Sequence, residues 1–244
     1  MVLNLHRISD IDFFTKPEIV VTITKILTGR DMNPNYKPHT PRLKIVDEYI
    51  SDLFRDELPG GLKYHDAKHT LHPTKGVVAA ANRIAISEKI SDHDRELLIA
   101  AAYFHDSGYI REYGKNEPIA ARIAGRILKL IGYQPGEIEK IQKMILATDL
   151  AVKPQTRVEK ILCDADLDHF GRGDLFELDG KLREGRRIRG LDVNDDLKWY
   201  QGTLAVITNH QYCTESQKKL RDKQKQKNIK KLLNKLEEIE KRRK

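Results

Sequence analysis

Leu97-Leu98-Ile99-Ala100-Ala101-Ala102-Tyr103-Phe104-His105-Asp106 is the stretch on which the fold turns. Its eight consecutive apolar residues fall far short of the roughly 20 needed to cross a bilayer and lack the alternation of a half-buried strand. They read as the buried part of a helix. Ser91 with Asp94 three residues later forms a capping box that predicts where this helix starts. Its far end is unusual, because His105-Asp106 carries at least one ionisable group into or beside the core, where an unpaired charge is expensive. The pair needs a partner, either a metal or an internal hydrogen bond.

Working outward, helical signals dominate. From Pro41, the apolar residues Leu43, Val46, Ile50, Leu53, Phe54 and Leu58 recur mostly at three and four residues, and Pro59-Gly60-Gly61 ends the pattern. Pro118 opens a helix with the face Ala121, Ala124, Leu128 and Ile131, stopped by Gly132. Pro135-Gly136 marks the turn into Ile138, Ile141 and Ile145, and a further helix contains Trp199, Leu204 and Ile207. Near the start, Thr15, Pro17 and Glu18 precede Ile19, Ile23, Ile26 and Leu27 as a capped helix, and Gly29 to Pro41 reads as a loop. No segment announces a sheet and no internal repeat occurs, so the chain reads as all-α. We divide it into an N-terminal helical extension (1–59), a helical body (60–214) and a basic C-terminal helix and tail (215–244).

The chain has 244 residues, 39% hydrophobic, with a formal net charge of +8. Glu215 to Lys244 holds thirteen Lys/Arg against five Asp/Glu and so carries the whole excess, leaving the first 214 residues formally neutral. A uniformly basic nucleic-acid-binding fold is thereby disfavoured. Ile229, Leu232, Leu233, Leu236 and Ile239 recur at helical spacing, so Asn228 to about Ile239 reads as an amphipathic helix with a frayed Lys-Arg-Arg-Lys end. Its stripe is expected to pack on the body or on a second subunit, the latter giving a homo-oligomer. A nucleic-acid or membrane-surface contact stays open but is not favoured. No membrane span and no secretory signal are evident, and Cys163 and Cys213 read as reduced thiols, so the expected location is cytoplasmic.

Metal-type residues collect at His65 to His69, at His105-Asp106, at Thr148-Asp149 and at Asp164-Ala165-Asp166. Each alone is weak, and two histidines four apart more often decorate a solvated face. Asp164, Asp166 and Asp168 alternate directly after the apolar Ile161-Leu162, and so much negative charge beside a core asks for a cation. Imidazole and carboxylate together suit Zn, Fe, Mn or Mg. Two His and two Asp gathered from separate helices would form a metal site in a bundle core.

The order His69, His105-Asp106, Asp166 resembles the HD superfamily of metal-dependent phosphohydrolases. Tyr64-His65-Asp66-x-x-His69 is similar to the Tyr-His-Asn-x-x-His signature of class I cyclic-nucleotide phosphodiesterases. Leu146-Ala147-Thr148-Asp149 and Ala165-Asp166-Leu167 are similar to that class's Leu-Ala-Thr-Asp and Ala-Asp-Leu segments. From about residue 60 to 235 the chain also resembles a group of bacterial HD phosphohydrolases that share a long C-terminal helix. The resemblance implies a single HD-type helical bundle in which His69, His105, Asp106 and Asp166 hold a first divalent ion, with Asp106 bridging to a second. The metals implied are Mn, Mg, Fe, Ni or Zn. His65 would protonate the leaving oxygen, its pKa raised by a neighbouring carboxylate such as Asp66. Asp149 would sit near the attacking hydroxide with Thr148 beside it. Asp164 would support the ligands or replace Asp166 as one.

The chain also departs from the pattern. Position 66 is Asp, and Ser107-Gly108-Tyr109 follows His-Asp where the phosphodiesterases usually carry a further His. The acidic pair of the guanosine tetraphosphate hydrolases is absent. Arg172, between Gly171 and Gly173, is the first candidate to hold substrate phosphate, ahead of the run Arg183, Arg186, Arg187 and Arg189. Gln201 could match the purine-selecting Gln, although a helix-surface Gln is commonplace. Glu117 and Lys115 could reach the site, with helix capping the plainer account of Glu117. The expected activity is hydrolysis of a small nucleotide-like phosphoester, a phosphodiester or cyclic nucleotide slightly preferred. The alternatives are a nucleoside monophosphate phosphomonoesterase, or an inert HD scaffold that binds nucleic acid or a partner through its tail.

Overall fold

The computed structural model describes residues 40–243. The helix expected over Ile19 to Leu27 lies outside them, as does the loop from Gly29 up to residue 39. Thr40 caps the first described helix, its Oγ1 accepting from the Leu43 N–H at 3.2 Å, and Pro41 occupies a position where its missing N–H is harmless. This helix, α1 (Pro41–Glu57), buries Leu43, Val46, Tyr49, Ile50, Leu53 and Phe54. A five-residue helix, α2 (Ala67–Leu71), and then α3 (Val77–Ser87) lead to α4 (Asp92–Phe104). Ser91 Oγ accepts from Asp94 N at 3.1 Å and so starts α4 where the sequence places it. Every residue of α4 from Glu96 to Phe104 is buried, which makes it the axial helix of the main core, packed by α1, α3, α6 and α7.

Beyond a 3-10 turn at Ser107–Ile110 lie α5 (Asn116–Ile131), α6 (Pro135–Leu146) and α7 (Arg157–Asp166). α5 begins two residues before Pro118, which falls in the first turn, and ends where Gly132 takes a φ of +94°. Pro135 is already the first residue of α6, where Gln134 and Glu137 make a reciprocal cap. A second 3-10 turn, Leu167–Gly171, precedes α8 (Leu175–Ile188), α9 (Asp196–Asn209) and α10 (Glu215–Arg243). These close a smaller cluster of Phe170, Leu175, Ile207, Tyr212 and Leu232. Among the described residues there is no strand, and no helix is long and apolar enough to cross a membrane.

α10 is one continuous helix from Glu215 to Arg243 rather than a shorter helix from Asn228 to about Ile239 with a frayed end, and it lies on the body. Its inner face is largely polar: Gln217, Lys225 and Asn228 are buried beside Leu232 and Leu236. Asn228 Nδ2 donates to Phe170 O (2.9 Å) and Arg172 O (2.8 Å), and Lys225 Nζ donates to His210 O. Gly171 makes this contact fit, since a Cβ there would stand 2.4 Å from Arg221 Cβ.

Candidate metal centre

The centre is assembled from three helix ends. Asp66 caps α2, its Oδ1 accepting from His69 N at 3.0 Å, so that His69 is fixed on a short helix of its own. His105 terminates α4 with its side chain fully buried, and Asp106 follows it. Asp166 is the last residue of α7. His69 Nε2 lies 3.0 Å from Asp166 Oδ1 and 3.5 Å from Asp106 Oδ2, while His105 Nε2 lies 3.3 Å from Asp106 Oδ2 and 3.6 Å from Asp166 Oδ1. One ligating atom from each of His69, His105 and Asp106 lies within 4.8 Å of the others.

Proton placement in this group is constrained. His105 Nδ1 is 2.7 Å from Ala102 O, and a carbonyl oxygen can only accept, so Nδ1 carries a proton. In the neutral ring Nε2 is then a bare lone pair facing two carboxylate oxygens, and neither His105 Nε2 nor Asp106 Oδ2 has a hydrogen-bond partner. Such an arrangement is stable only if a cation lies among the groups, either a second ring proton or a metal ion. The electrostatics agree. Burial disfavours the Asp166 carboxylate, yet the proximity of His105 and the hydrogen bond and charge of His69 outweigh it and hold the carboxyl far below its ordinary range. Asp106 is lowered in the same way, and His105 is raised because Asp106 and Asp166 overcome its burial. The donor set, two imidazoles and two carboxylates that are largely buried, fits a divalent cation.

His65 sits beside the cluster, its ring centroid 5.9 Å from that of His69 and 4.3 Å from that of Tyr109, with Nε2 3.1 Å from the Tyr109 hydroxyl. The expected rise in its pKa through Asp66 is not found. Asp66 Oδ1 is engaged by the cap of α2, and burial lowers His65 to about 4. Tyr109 reaches this position because Gly108 lets its turn press against Asn116, whose carbonyl oxygen would be 2.0 Å from a Cβ. Tyr64 packs on His65 and His69, both at 4.7 Å, and its hydroxyl meets His169 Nδ1 at 3.1 Å.

The other candidate residues fall differently. Asp164 is turned away from the histidines and accepts from Cys213 N (2.7 Å), Thr214 N (2.8 Å) and Thr214 Oγ1 (2.7 Å), so Asp166 is the carboxylate of the Asp-Ala-Asp run that lies beside His69 and His105. Thr148 Oγ1 donates to Ile145 O at 2.7 Å, which occupies it at the end of α6. Asp149 is exposed and accepts from Ala151 N. Glu117, half-buried, is raised by burial first and then by Asp149, Asp106 and Asp166, so it lies within their field rather than serving only as a cap. Arg172 is not open to phosphate: it donates to Asp174 (2.9 Å) and Lys75 O (2.7 Å) and stands 3.5 Å from Asp168. Gln201 is exposed on α9, which packs chiefly on α10 and not on the helices bearing the histidines. Tyr109 and His169 carried no sequence signal, because their contacts depend on how distant turns meet.

An all-α bundle whose axial helix ends in a buried His-Asp pair, closed by a histidine and an aspartate from neighbouring helices, is a scaffold that carries the donor set of a candidate metal centre. The family model for the HD domain matches residues 70–170, which include His105, Asp106 and Asp166. This match, over part of the chain, supports membership of the HD-domain superfamily, whose members are in general metal-dependent phosphohydrolases. Comparison with curated proteins and with solved structures gives no match.

Proposed function

We propose that this protein is a divalent-metal-dependent phosphohydrolase acting on a nucleotide-like phosphoester, with a phosphodiester preferred to a monoester. The observation that carries the reading is the pair of buried atoms without partners, His105 Nε2 and Asp106 Oδ2, facing each other at 3.3 Å. His69, His105, Asp106 and Asp166 would hold the ion. A divalent ion bound there supplies charge for the phosphoryl oxygens and a water of lowered pKa.

The chain's own residues do the rest. Ala102 O fixes the His105 tautomer that presents a lone pair inward. Tyr64 and Tyr109 wall the site and exclude water around His65 and His69. His65, on the edge of the cluster, is the residue placed to give a proton to the leaving oxygen. Burial lowers its pKa to about 4, so the protonated ring this role needs forms only when the substrate brings negative charge beside it, with the Tyr109 hydroxyl 3.1 Å from Nε2.

Metal analysis with a screen of bis-p-nitrophenyl phosphate and p-nitrophenyl phosphate in Mn, Mg, Fe, Ni and Zn tests the reading and separates diesterase from monoesterase. His105→Ala and Asp106→Ala should lose metal and turnover together. Absence of both metal and turnover in the unaltered protein, or full activity in either variant, overturns it.

A further inference from the structure

Of the arginines the sequence offers for phosphate, the structure engages most elsewhere. Arg172 is held as described, Arg183 donates to Val193 O at 2.8 Å and pairs with Asp196, and Arg187 pairs with Glu184. Arg186 lies over Trp199. Arg189 is different. It follows the last residue of α8, where Gly190 takes a φ of +76° and the Gly190 and Leu191 N–H groups donate to Arg187 O (2.9 Å) and Arg186 O (3.1 Å), which pins this helix end. Its guanidinium carbon stands 4.5 Å from the centroid of the Tyr113 ring. Tyr113 in turn lies 5.7 Å from Tyr109 and 6.3 Å from His65. Arg189 therefore ends a ladder of rings that begins at the metal centre. Its Nε is buried without an acceptor, and among the described residues no carboxylate lies within ion-pair distance of it. The side chain is half-buried, but an Nε–H held out of water without an acceptor is unfavourable, and an anion would satisfy it with the planar fork that suits phosphate oxygens.

We infer that Arg189 binds an anionic group on the leaving-group side of the substrate, with Tyr109 and Tyr113 as the walls between that group and the metal centre. The preferred substrates are then phosphoesters whose leaving group carries a second anion, such as a nucleoside bearing a further phosphate. This rests on the phosphohydrolase reading, in which His65 marks the leaving-group side.

The test uses the Mn-loaded full chain, Arg189→Met and Arg189→Lys, with thermal melts to confirm folding. Adenosine 3′,5′-bisphosphate, adenosine 5′-monophosphate and p-nitrophenyl phosphate serve as substrates. The unaltered protein should prefer the bisphosphate to the monophosphate by about tenfold or more in kcat/KM. Arg189→Met should abolish that preference mainly through KM, leave p-nitrophenyl phosphate turnover within about twofold, and weaken calorimetric binding of the bisphosphate by about tenfold. Arg189→Lys, which keeps charge but not the fork, should lie between, and it carries the test if the Met variant does not fold. Turnover of p-nitrophenyl phosphate with identical bisphosphate preference and binding in all three proteins overturns the Arg189 assignment and leaves the phosphohydrolase reading intact. Absent turnover of these and of bis-p-nitrophenyl phosphate, with Arg189-dependent binding of the bisphosphate, does the reverse.

Discussion

Asp168→Asn should release the C-terminal helix from the body and weaken the metal centre through the backbone. Asp168 is 2% exposed and accepts from Arg83 Nη2 (2.7 Å), Arg221 Nε (2.8 Å), Arg221 Nη2 (3.0 Å) and Gln217 Nε2 (2.6 Å), with Arg172 at 3.5 Å. Burial opposes its ionisation, but these partners win and hold its carboxyl below the ordinary value. Removing one member of a buried ion pair costs about 3–5 kcal/mol because its partner stays buried and unpaired. The Arg83 and Arg221 side chains keep 33% and 21% exposure and can take up water, which places the loss at the lower end, about 3 kcal/mol. For a domain of this size that is a fall in Tm of about 6–12 °C. Urea unfolding followed by circular dichroism measures the stability, limited proteolysis reports release of α10, and equilibrium dialysis reports metal retention. A change under about 1 kcal/mol with an unaltered urea slope would refute the assignment of Asp168 as the main anchor of α10.

Two further outcomes follow from the site and its surroundings. His65→Ala should slow turnover by about 10²- to 10⁴-fold while leaving metal content, read by mass spectrometry, unchanged; Tyr109→Phe should slow it less. Loss of metal from His65→Ala would instead make His65 a ligand. His210, half-buried against Phe170 and Tyr212, is lowered to about 4 by burial and then by Lys225. The unfolded chain takes up this proton near pH 6.5 and the folded chain only near 4, so the stability His210 contributes at neutral pH is lost as pH falls from about 6.5 to 4. In His210→Gln the dependence of Tm on pH across that window should flatten, and an unchanged slope contradicts the account.

Much of the architecture was legible because α1, α4, α5 and α6 declare themselves by period, cap and stop signals that act within a few residues. The first half of α10 was not, since Gln217, Lys225 and Asn228 are buried through hydrogen bonds that a search for apolar stripes passes over. His69, His105, Asp106 and Asp166 could be singled out as a group, and the structure brings their side chains together. Arg172 misled because a glycine-flanked arginine beside acids reads as a phosphate donor, whereas Asp174 two residues on chelates it. Tyr109 reaches His65, and Arg189 the Tyr113 ring, through turns whose meeting no local signal encodes.

The acidic run shows how one segment can serve two ends. Alternating carboxylates look crowded when written out, but positions four apart share a helix face and the position between them points to the other side. Asp164 and Asp168 accordingly face the C-terminal segment, one taking the Cys213 and Thr214 N–H groups and the other Gln217 and Arg221. Asp166 alone turns to the histidines. The run therefore calls for three different partners rather than one cation: backbone amides, arginines, and whatever charge sits between His69 and His105. It also gives the basic helix a role that net charge could not disclose. Arg221 neutralises Asp168, two residues from Asp166, so α10 braces the segment that presents Asp166 to the metal centre. Shortening the chain before Gln217 should then impair metal retention even though no ligand is removed, a result that a purely solvent-facing tail would not give.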